Sequence, residues 1–232
     1  MTAFVLGNGR SRLAFDPREF KPHGELIGCN AAYRDIDLDR LVAVDLPMIH
    51  EIMEVKAHHM CEFYIDARHQ HIRNPKVNPI HTEMDTRMDS GTLALMVAAM
   101  HGHNTVYAIG FDYISNNQYH NNVFADTMNY KRTTEQHVLP ETKQSWFDRQ
   151  NILCNRFPLV QFIRVNANDF IPPINCPNFT NISVEQFVTD YGFTTHTIPE
   201  QFPRHMVQKK PSKQPRYTKP TEPNLPRPMW YK

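Results

Sequence analysis

The residues best placed to do chemistry begin at Gly7-Asn8-Gly9-Arg10-Ser11, directly after the apolar run Phe4-Val5-Leu6. Glycines in such a turn let backbone N–H groups approach an anion without a Cβ in the way, so the turn reads as a seat for a nucleotide's phosphate. The dinucleotide fingerprint needs a third glycine near the position of Arg12, and Leu13-Ala14-Phe15-Asp16-Pro17 is a poor helix start, so NAD is disfavoured. Taken alone, glycine-X-glycine after a strand is also what a plain tight turn looks like. Other apolar runs end in polar residues too: Cys29-Asn30, Asp45 and Gly110-Phe111-Asp112-Tyr113. Singly, each is what a cap or turn would use. At successive C-terminal strand ends they face one crevice, where asparagine carboxamides can read ribose hydroxyls or a base edge.

The elements that must position these residues follow from the apolar pattern. Phe4-Val5-Leu6, Leu26-Ile27-Gly28-Cys29, Leu41-Val42-Ala43-Val44, Phe63-Tyr64-Ile65, Val106-Tyr107-Ala108-Ile109 and Phe162-Ile163-Arg164-Val165 are continuous short runs, which suit parallel strands buried on both faces. Between them, Gly91 to Met100 reads as a helix capped by Ser90 and stopped at Gly102. A second helix runs from Glu141 to Phe157, with Trp146, Ile152, Leu153 and Phe157 sharing one face. Alternating strands and helices give an α/β class: a Rossmann-like, doubly wound, mostly parallel sheet. The expected organisation is a nucleotide-binding domain over 1–170, a small packed C-terminal appendage over 171–195, and an extended Pro-rich tail over 196–232. The appendage carries a short helix starting at Ser183, with Gln186 as its capping-box partner.

Four motifs at matched intervals resemble the bacterial family 42 sialyltransferases and, more broadly, the group that includes archaeal-type 6-hydroxymethylpterin diphosphokinases. They are Gly7-Asn8-Gly9-Arg10-Ser11, Cys29-Asn30, Arg87-Met88-Asp89-Ser90-Gly91 and Gly110-Phe111-Asp112-Tyr113, within residues 3–165. The resemblance implies a glycosyltransferase using a CMP-sugar donor, held by Asn8, Asn30, Ser90 and Gly91, with the phosphate near the Gly7–Gly9 turn and the helix N-terminus at Ser90. No metal is needed in that reading, and the acceptor is unknown. It also implies two tyrosines on the leaving phosphate, for which Tyr113 and Tyr119 have the interval. His137 is the implied general base, since an imidazole takes a proton from a hydroxyl near neutral pH. Arg10 stands where the family has proline, Thr134 where it has tyrosine, and Asp45 where it tends to have asparagine. A carboxylate at that strand end suits Mg, so the alternative is a Mg-dependent diphosphotransferase of the pterin kinase type with Asp45 and Asp112 as ligands. Arg87 has two readings: it contacts the sugar carboxylate or phosphate, or it pairs with Asp85 and Asp89.

The remaining signals constrain class more than mechanism. With 41% hydrophobic residues the chain can bury one good core. Residues 196–232 hold eight of its 25 Lys/Arg and only two of its 24 acidic residues, so the tail is basic, the body mildly acidic, and whole-surface nucleic-acid binding is disfavoured. That composition gives either a solubilising tail or an arm for a protein partner or a second subunit, as in a nucleotide-binding or assembly protein without chemistry. No apolar stretch is long enough for a membrane span and no signal peptide is evident, which reads as cytoplasmic, or host-cytoplasmic for a phage-encoded chain. His58-His59-Met60-Cys61 and His69-Gln70-His71 lack zinc-site spacing. Cys29, Cys61, Cys154 and Cys176 read as reduced thiols, and the sequons at Asn178 and Asn181 are discounted.

Overall fold

The computed structural model describes residues 1–82, 87–113, 121–125, 127–130, 140–166 and 170–198. Eight parallel strands form one sheet: β1 (Thr2–Leu6), β2 (Glu25–Cys29), β3 (Arg40–Ala43), β4 (Glu62–Asp66), β5 (Val77–Ile80), β6 (Thr105–Ile109), β7 (Gln161–Asn166) and β8 (Phe179–Ser183). Their order is β5-β4-β3-β2-β1-β6-β7-β8, and every neighbouring pair is parallel. The order runs outward from β1 to one edge and from β6 to the other, so the topological switch point lies between β1 and β6. Open α/β sheets bind ligands in the crevice beyond the strand ends at such a point.

Six strands coincide with the continuous apolar runs, and the two without such a run are the edges. β5 is Val-Asn-Pro-Ile, buried only at its ends, and Pro79 is admissible because an edge strand leaves N–H positions without a ladder partner. β8, Phe-Thr-Asn-Ile-Ser, has only two apolar residues and is buried only at Phe179, as an edge strand covered less completely is. The segment 171–195 thus packs on the sheet through β8 and the helix α4 (Val184–Tyr191).

Helices cover both faces, which makes the sheet doubly wound. On one side α2 (Ser90–Met100) and Leu153 and Cys154 of α3 (Pro140–Arg156) pack on Ala3, Val5, Ile27, Val42, Val106 and Phe162. On the other, α1 (Leu46–Glu54) and α4 join an aromatic cluster of Phe4, Phe15, Phe20, Tyr107, Phe187 and Phe193. Among the described residues no helix is long and apolar enough to cross a membrane.

Three helix expectations are corrected in detail. The N-cap of α2 is Asp89, whose Oδ1 accepts the Thr92 N–H at 2.8 Å, so Ser90 is the first helical residue and its hydroxyl is free for another task. The helix ends at Met100 with His101 as its C-cap, and Gly102 follows at the left-handed φ of +82°, the stop expected of it. On α3 the buried face is Phe147, Gln150, Leu153 and Cys154, whereas Ile152 is exposed and Trp146 belongs to a different surface. Ser183 does cap α4 by accepting the Gln186 N–H at 3.1 Å, but the Gln186 side chain turns to Asp190 instead of closing a capping box. Asn178 is buried and its Nδ2 donates to the carbonyls of Cys154, Phe157 and Val160, so its sequon is structural.

Candidate functional site

The ends of β1, β2, β3 and β6 and the N-terminus of α2 open onto one cleft of about 570 Å³. Gly7, Asn8, Gly9, Asn30, Asp45, Arg87, Ser90, Gly91, Asp112 and Tyr113 all line it. Tyr119 and His137 lie outside the described residues, so the structure brings together the expected binding groups and one of the three expected catalytic ones.

The Gly7–Gly9 turn has a different physical reason from the one its glycines suggest. The Gly7 N–H donates to the Ile109 carbonyl (2.8 Å), Gly9 to Gly110 (2.9 Å), Arg10 to Asn121 Oδ1 (2.9 Å) and Ser11 to Asp112 Oδ2 (3.0 Å). These N–H groups are engaged within the protein and do not form an open anion nest. The glycines instead allow the β1 and β6 ends to touch. A Cβ on Gly7 would stand 2.6 Å from the Gly110 carbonyl oxygen, and one on Gly9 would stand 2.5 Å from Asp112 Oδ2 and against that same carbonyl. No α-helix starts here: residues 10–14 form a 3-10 turn. Arg12 is buried where a third glycine would leave room, bonded to Asp35 at 2.6 Å and lying over the Phe124 ring.

Asn8 is the informative member of the turn. It is 9% exposed, and its Nδ2 donates to the Cys29 carbonyl (3.2 Å) and the Tyr130 hydroxyl (3.3 Å). That fixes the amide orientation and leaves Oδ1 buried with no hydrogen-bond partner. An orphaned buried acceptor costs free energy of about 1–3 kcal/mol, so a ligand donor placed there recovers that cost. Asn30, at the left-handed φ of 53°, accepts the Ser90 hydroxyl on its Oδ1 at 2.7 Å, and Ser90 Oγ in turn accepts the Val44 N–H at 3.2 Å. One hydroxyl therefore ties the ends of β2 and β3 to the first turn of α2. Cys29 lies on the floor, its thiol pushed up to about 12 by burial.

Asp112 and Tyr113 are held rigidly. Asp112 accepts both the N–H and the hydroxyl of Ser11. Tyr113, at φ 58°, donates to Gln150 Oε1 at 2.5 Å, and burial raises its pKa, outweighing the lowering by Gln150 and Arg164. Beneath both sits Arg164 of β7, 1% exposed, donating to the carbonyls of Phe111 (2.7 Å), Phe170 (2.8 Å) and Asp112 (3.4 Å), with its guanidinium 5.2 Å from the Tyr113 ring centroid. Burial lowers the pKa of Arg164.

The charged groups at the mouth come as two loose pairs, Arg87 with Asp45 at 3.6 Å and Arg149 with Asp89 at 3.8 Å. Among the described residues Arg87 pairs with Asp45, while Asp89 goes to Arg149; Asp85 lies outside the described residues. Sequence reasoning did not single out Arg149, nor Thr142, Ser145, Trp146 and Gln150, all of which line the cleft from α3. Their spacing is the helical i, i+3, i+4, i+7 pattern, a signal obscured by treating Trp146 as core. Tyr130 and Asn121 were also missed, because nothing local marks them.

The magnesium alternative would use Asp45 and Asp112, both of which line the cleft. Asp112 is engaged by Ser11, Asp45 sits beside Arg87, and no cluster of three His, Cys, Asp or Glu side chains occurs among the described residues. His58 and His69 are used by Asn74 and the Val44 carbonyl.

Two solved sialyltransferases share this fold. The monofunctional alpha-2,3-sialyltransferase Cst-I from Campylobacter jejuni aligns with a TM-score of 0.52 and 15% identity, over 76% of this chain and 79% of that one. An alpha-2,3-sialyltransferase from the same organism, in apo form, aligns with a TM-score of 0.50 and 13% identity over 91% and 90%. At these identities the likeness is one of fold. No family model matches the chain, and no curated protein does.

Proposed function

We propose that the protein is a glycosyltransferase that takes a sugar from a nucleotide-sugar donor of the CMP-sugar type. The observation that carries the reading is the orphaned, buried Asn8 Oδ1 in a cleft at the β1/β6 switch point, beside Asn30 and the first turn of α2. An acceptor there calls for a ligand donor, such as a ribose hydroxyl or an exocyclic base amine.

In this reading Asn8 and Asn30 hold the nucleoside, while Ser90, Gly91, Arg87 and Arg149 surround the phosphate at the positive end of α2. The acceptor hydroxyl loses its proton to His137 and attacks the anomeric carbon. The bond from that carbon to the phosphate oxygen breaks, and the nucleoside monophosphate leaves with hydrogen bonds from Tyr113 and Tyr119. No metal takes part. Burial keeps the Tyr113 hydroxyl protonated, and in this reading its one proton turns from Gln150 Oε1 to the leaving phosphate oxygen.

The test is thermal denaturation with CMP, a CMP-sugar, a UDP-sugar and Mg-ATP. A ligand at about 100-fold its Kd stabilises by about 2.7 kcal/mol. CMP and the CMP-sugar are expected to raise Tm and the others to leave it unchanged. Asn30→Gly, which keeps the positive φ accessible and removes the carboxamide, is expected to abolish the shift. No shift with CMP at millimolar concentration, or an equal one with Mg-ATP, would sink the reading.

A further inference from the structure

Residues 121–125 and 127–130 contain no helix or strand, yet they build part of the cleft. Asn121 Oδ1 accepts the Arg10 N–H, the Val123 N–H donates to the Asn8 carbonyl at 2.8 Å, and the Tyr130 hydroxyl receives Asn8 Nδ2. A segment with so little secondary structure of its own takes its order from what it is tied to. The tie is a buried ion pair outside the cleft. Glu51 of α1 is 4% exposed; its Oε1 accepts from the Tyr33 hydroxyl (2.5 Å) and from Arg34 Nε (2.8 Å) and Nη2, and its Oε2 accepts from Asn129 Nδ2 at 2.6 Å. Arg34 then spends Nη1 on Thr127 Oγ1 (2.6 Å) and Nη2 on the Met128 carbonyl (3.0 Å), and lies over the Phe124 and Tyr130 rings at 5.5 and 6.0 Å.

We propose that Arg34 and Glu51 are positioning residues: they latch 121–130 to α1 and so hold Tyr130 where it fixes the Asn8 carboxamide with Oδ1 toward the cleft. The planar guanidinium fork gives the pair its geometric specificity, and burying two charges gives little net stability, so placement is what the pair supplies. Its donor and acceptor directions are also fully assigned. Glu51 is acceptor to every partner, and Asn129 is the donor to Oε2.

Those directions allow a swap test in the full chain. Glu51→Gln turns one acceptor into a donor facing Asn129 Nδ2, whose second bond, to the Pro47 carbonyl at 3.4 Å, opposes an amide flip; Glu51→Gln combined with Asn129→Asp restores a donor–acceptor match at that contact and the negative charge, while giving up the Pro47 bond. Amide hydrogen exchange without ligand is expected to quicken about tenfold or more over 121–130 in the single variant, with β1 and α2 unchanged, and to return toward the wild-type rate in the double variant. Thr127→Ser, which keeps the hydroxyl bonds to Arg34 and to the Phe124 carbonyl (2.7 Å), is expected to exchange at the wild-type rate, whereas Thr127→Val, which loses both bonds and leaves the ion pair intact, is expected to quicken exchange locally. Exchange that quickens equally throughout the chain, that does not change in 121–130, or that the double variant fails to restore would overturn the proposal. A second arm rests on the nucleotide reading: the Kd for CMP is expected to weaken about tenfold in Glu51→Gln and recover in the double variant. Wild-type protein that binds no CMP would refute that reading, and the exchange result would still decide the latch.

Discussion

Replacing Gly9 by alanine separates two reasons for a glycine, because they predict effects of opposite sign. Gly9 has φ −65° and ψ 149°, an extended conformation open to any residue. On backbone grounds alone, Gly9→Ala should stabilise the fold by about 0.4–1 kcal/mol through a less flexible unfolded chain. The contacts say otherwise. The new Cβ would stand 2.5 Å from Asp112 Oδ2 and against the Gly110 carbonyl, so the β1 and β6 ends must move apart. Overpacking of that kind costs about 1–3 kcal/mol. Separation also weakens the Gly9 N–H bond to Gly110 and the Ser11 N–H bond to Asp112, at about 1 kcal/mol each. The expected loss is about 3–4 kcal/mol, or about 10 °C in Tm for a chain of this size. Urea denaturation of Gly9→Ala against wild type measures it. Gly102→Ala is the control: its φ of +82° is strained for alanine but its surroundings are open, so it should cost about 1 kcal/mol. A neutral or stabilising Gly9→Ala would refute the close-approach argument and return the turn to an open loop.

Three further outcomes follow from the same geometry. Arg164→Lys cannot reach the Phe111, Phe170 and Asp112 carbonyls together, so a loss of about 3 kcal/mol or more in urea denaturation is expected, with weaker CMP binding as the β6 end loosens. Burial lowers the pKa of His58 below its ordinary 6.5, with the neighbouring His59 lowering it further; the unfolded chain therefore takes up the proton first, and stability is lost as pH falls below about 6.5. Tm measured at pH 7.5 and 5.5 should fall less in His58→Gln than in wild type. Trp146 lines the cleft, so CMP is expected to change the tryptophan fluorescence of a Trp230→Phe variant, and Trp146→Phe should abolish that change.

The sheet was legible because buried parallel strands leave continuous apolar runs, and it failed to be legible where that cause is absent. β5 and β8 are edges: one carries Pro79, the other has the polar pair Thr180-Asn181 between its two apolar residues, and neither forms a run. The cleft residues at strand ends were legible for a related reason, since the switch point brings the polar residues after β1, β2, β3 and β6 into one crevice. Asn121 and Tyr130 were not, because they are tied to the glycine turn only through long-range contacts, Arg10 to Asn121 and Asn8 to Tyr130, and their types and spacings carry no mark of them. Arg149 shares the helical spacing of the α3 residues that line the cleft, a signal hidden by treating Trp146 as core. Ser90 shows the intermediate case: it was expected as the α2 cap and, by resemblance, as a group holding the donor, whereas Asp89 takes the capping role and the Ser90 hydroxyl bridges Asn30 and Val44.

The commitment of the glycine turn's N–H groups changes where an anion can sit. With Gly7, Gly9, Arg10 and Ser11 all donating within the protein, the cationic side chains left to meet an anion beside the first turn of α2 are Arg87 and Arg149. Asp89 already occupies that helix end as its cap, with both carboxylate oxygens taken by Thr92. Arg149 at 3.8 Å and Arg87 at 3.6 Å are therefore held by carboxylates at the limit of ion pairing, and a phosphate that drew either closer would replace a long contact by a charge-assisted hydrogen bond. Arg149→Gln should accordingly weaken CMP more than cytidine, because only the nucleotide carries the charge. Titration of both ligands against both proteins measures the difference. Equal weakening of the two would place the arginine on the nucleoside instead, and no weakening of either would remove it from the site.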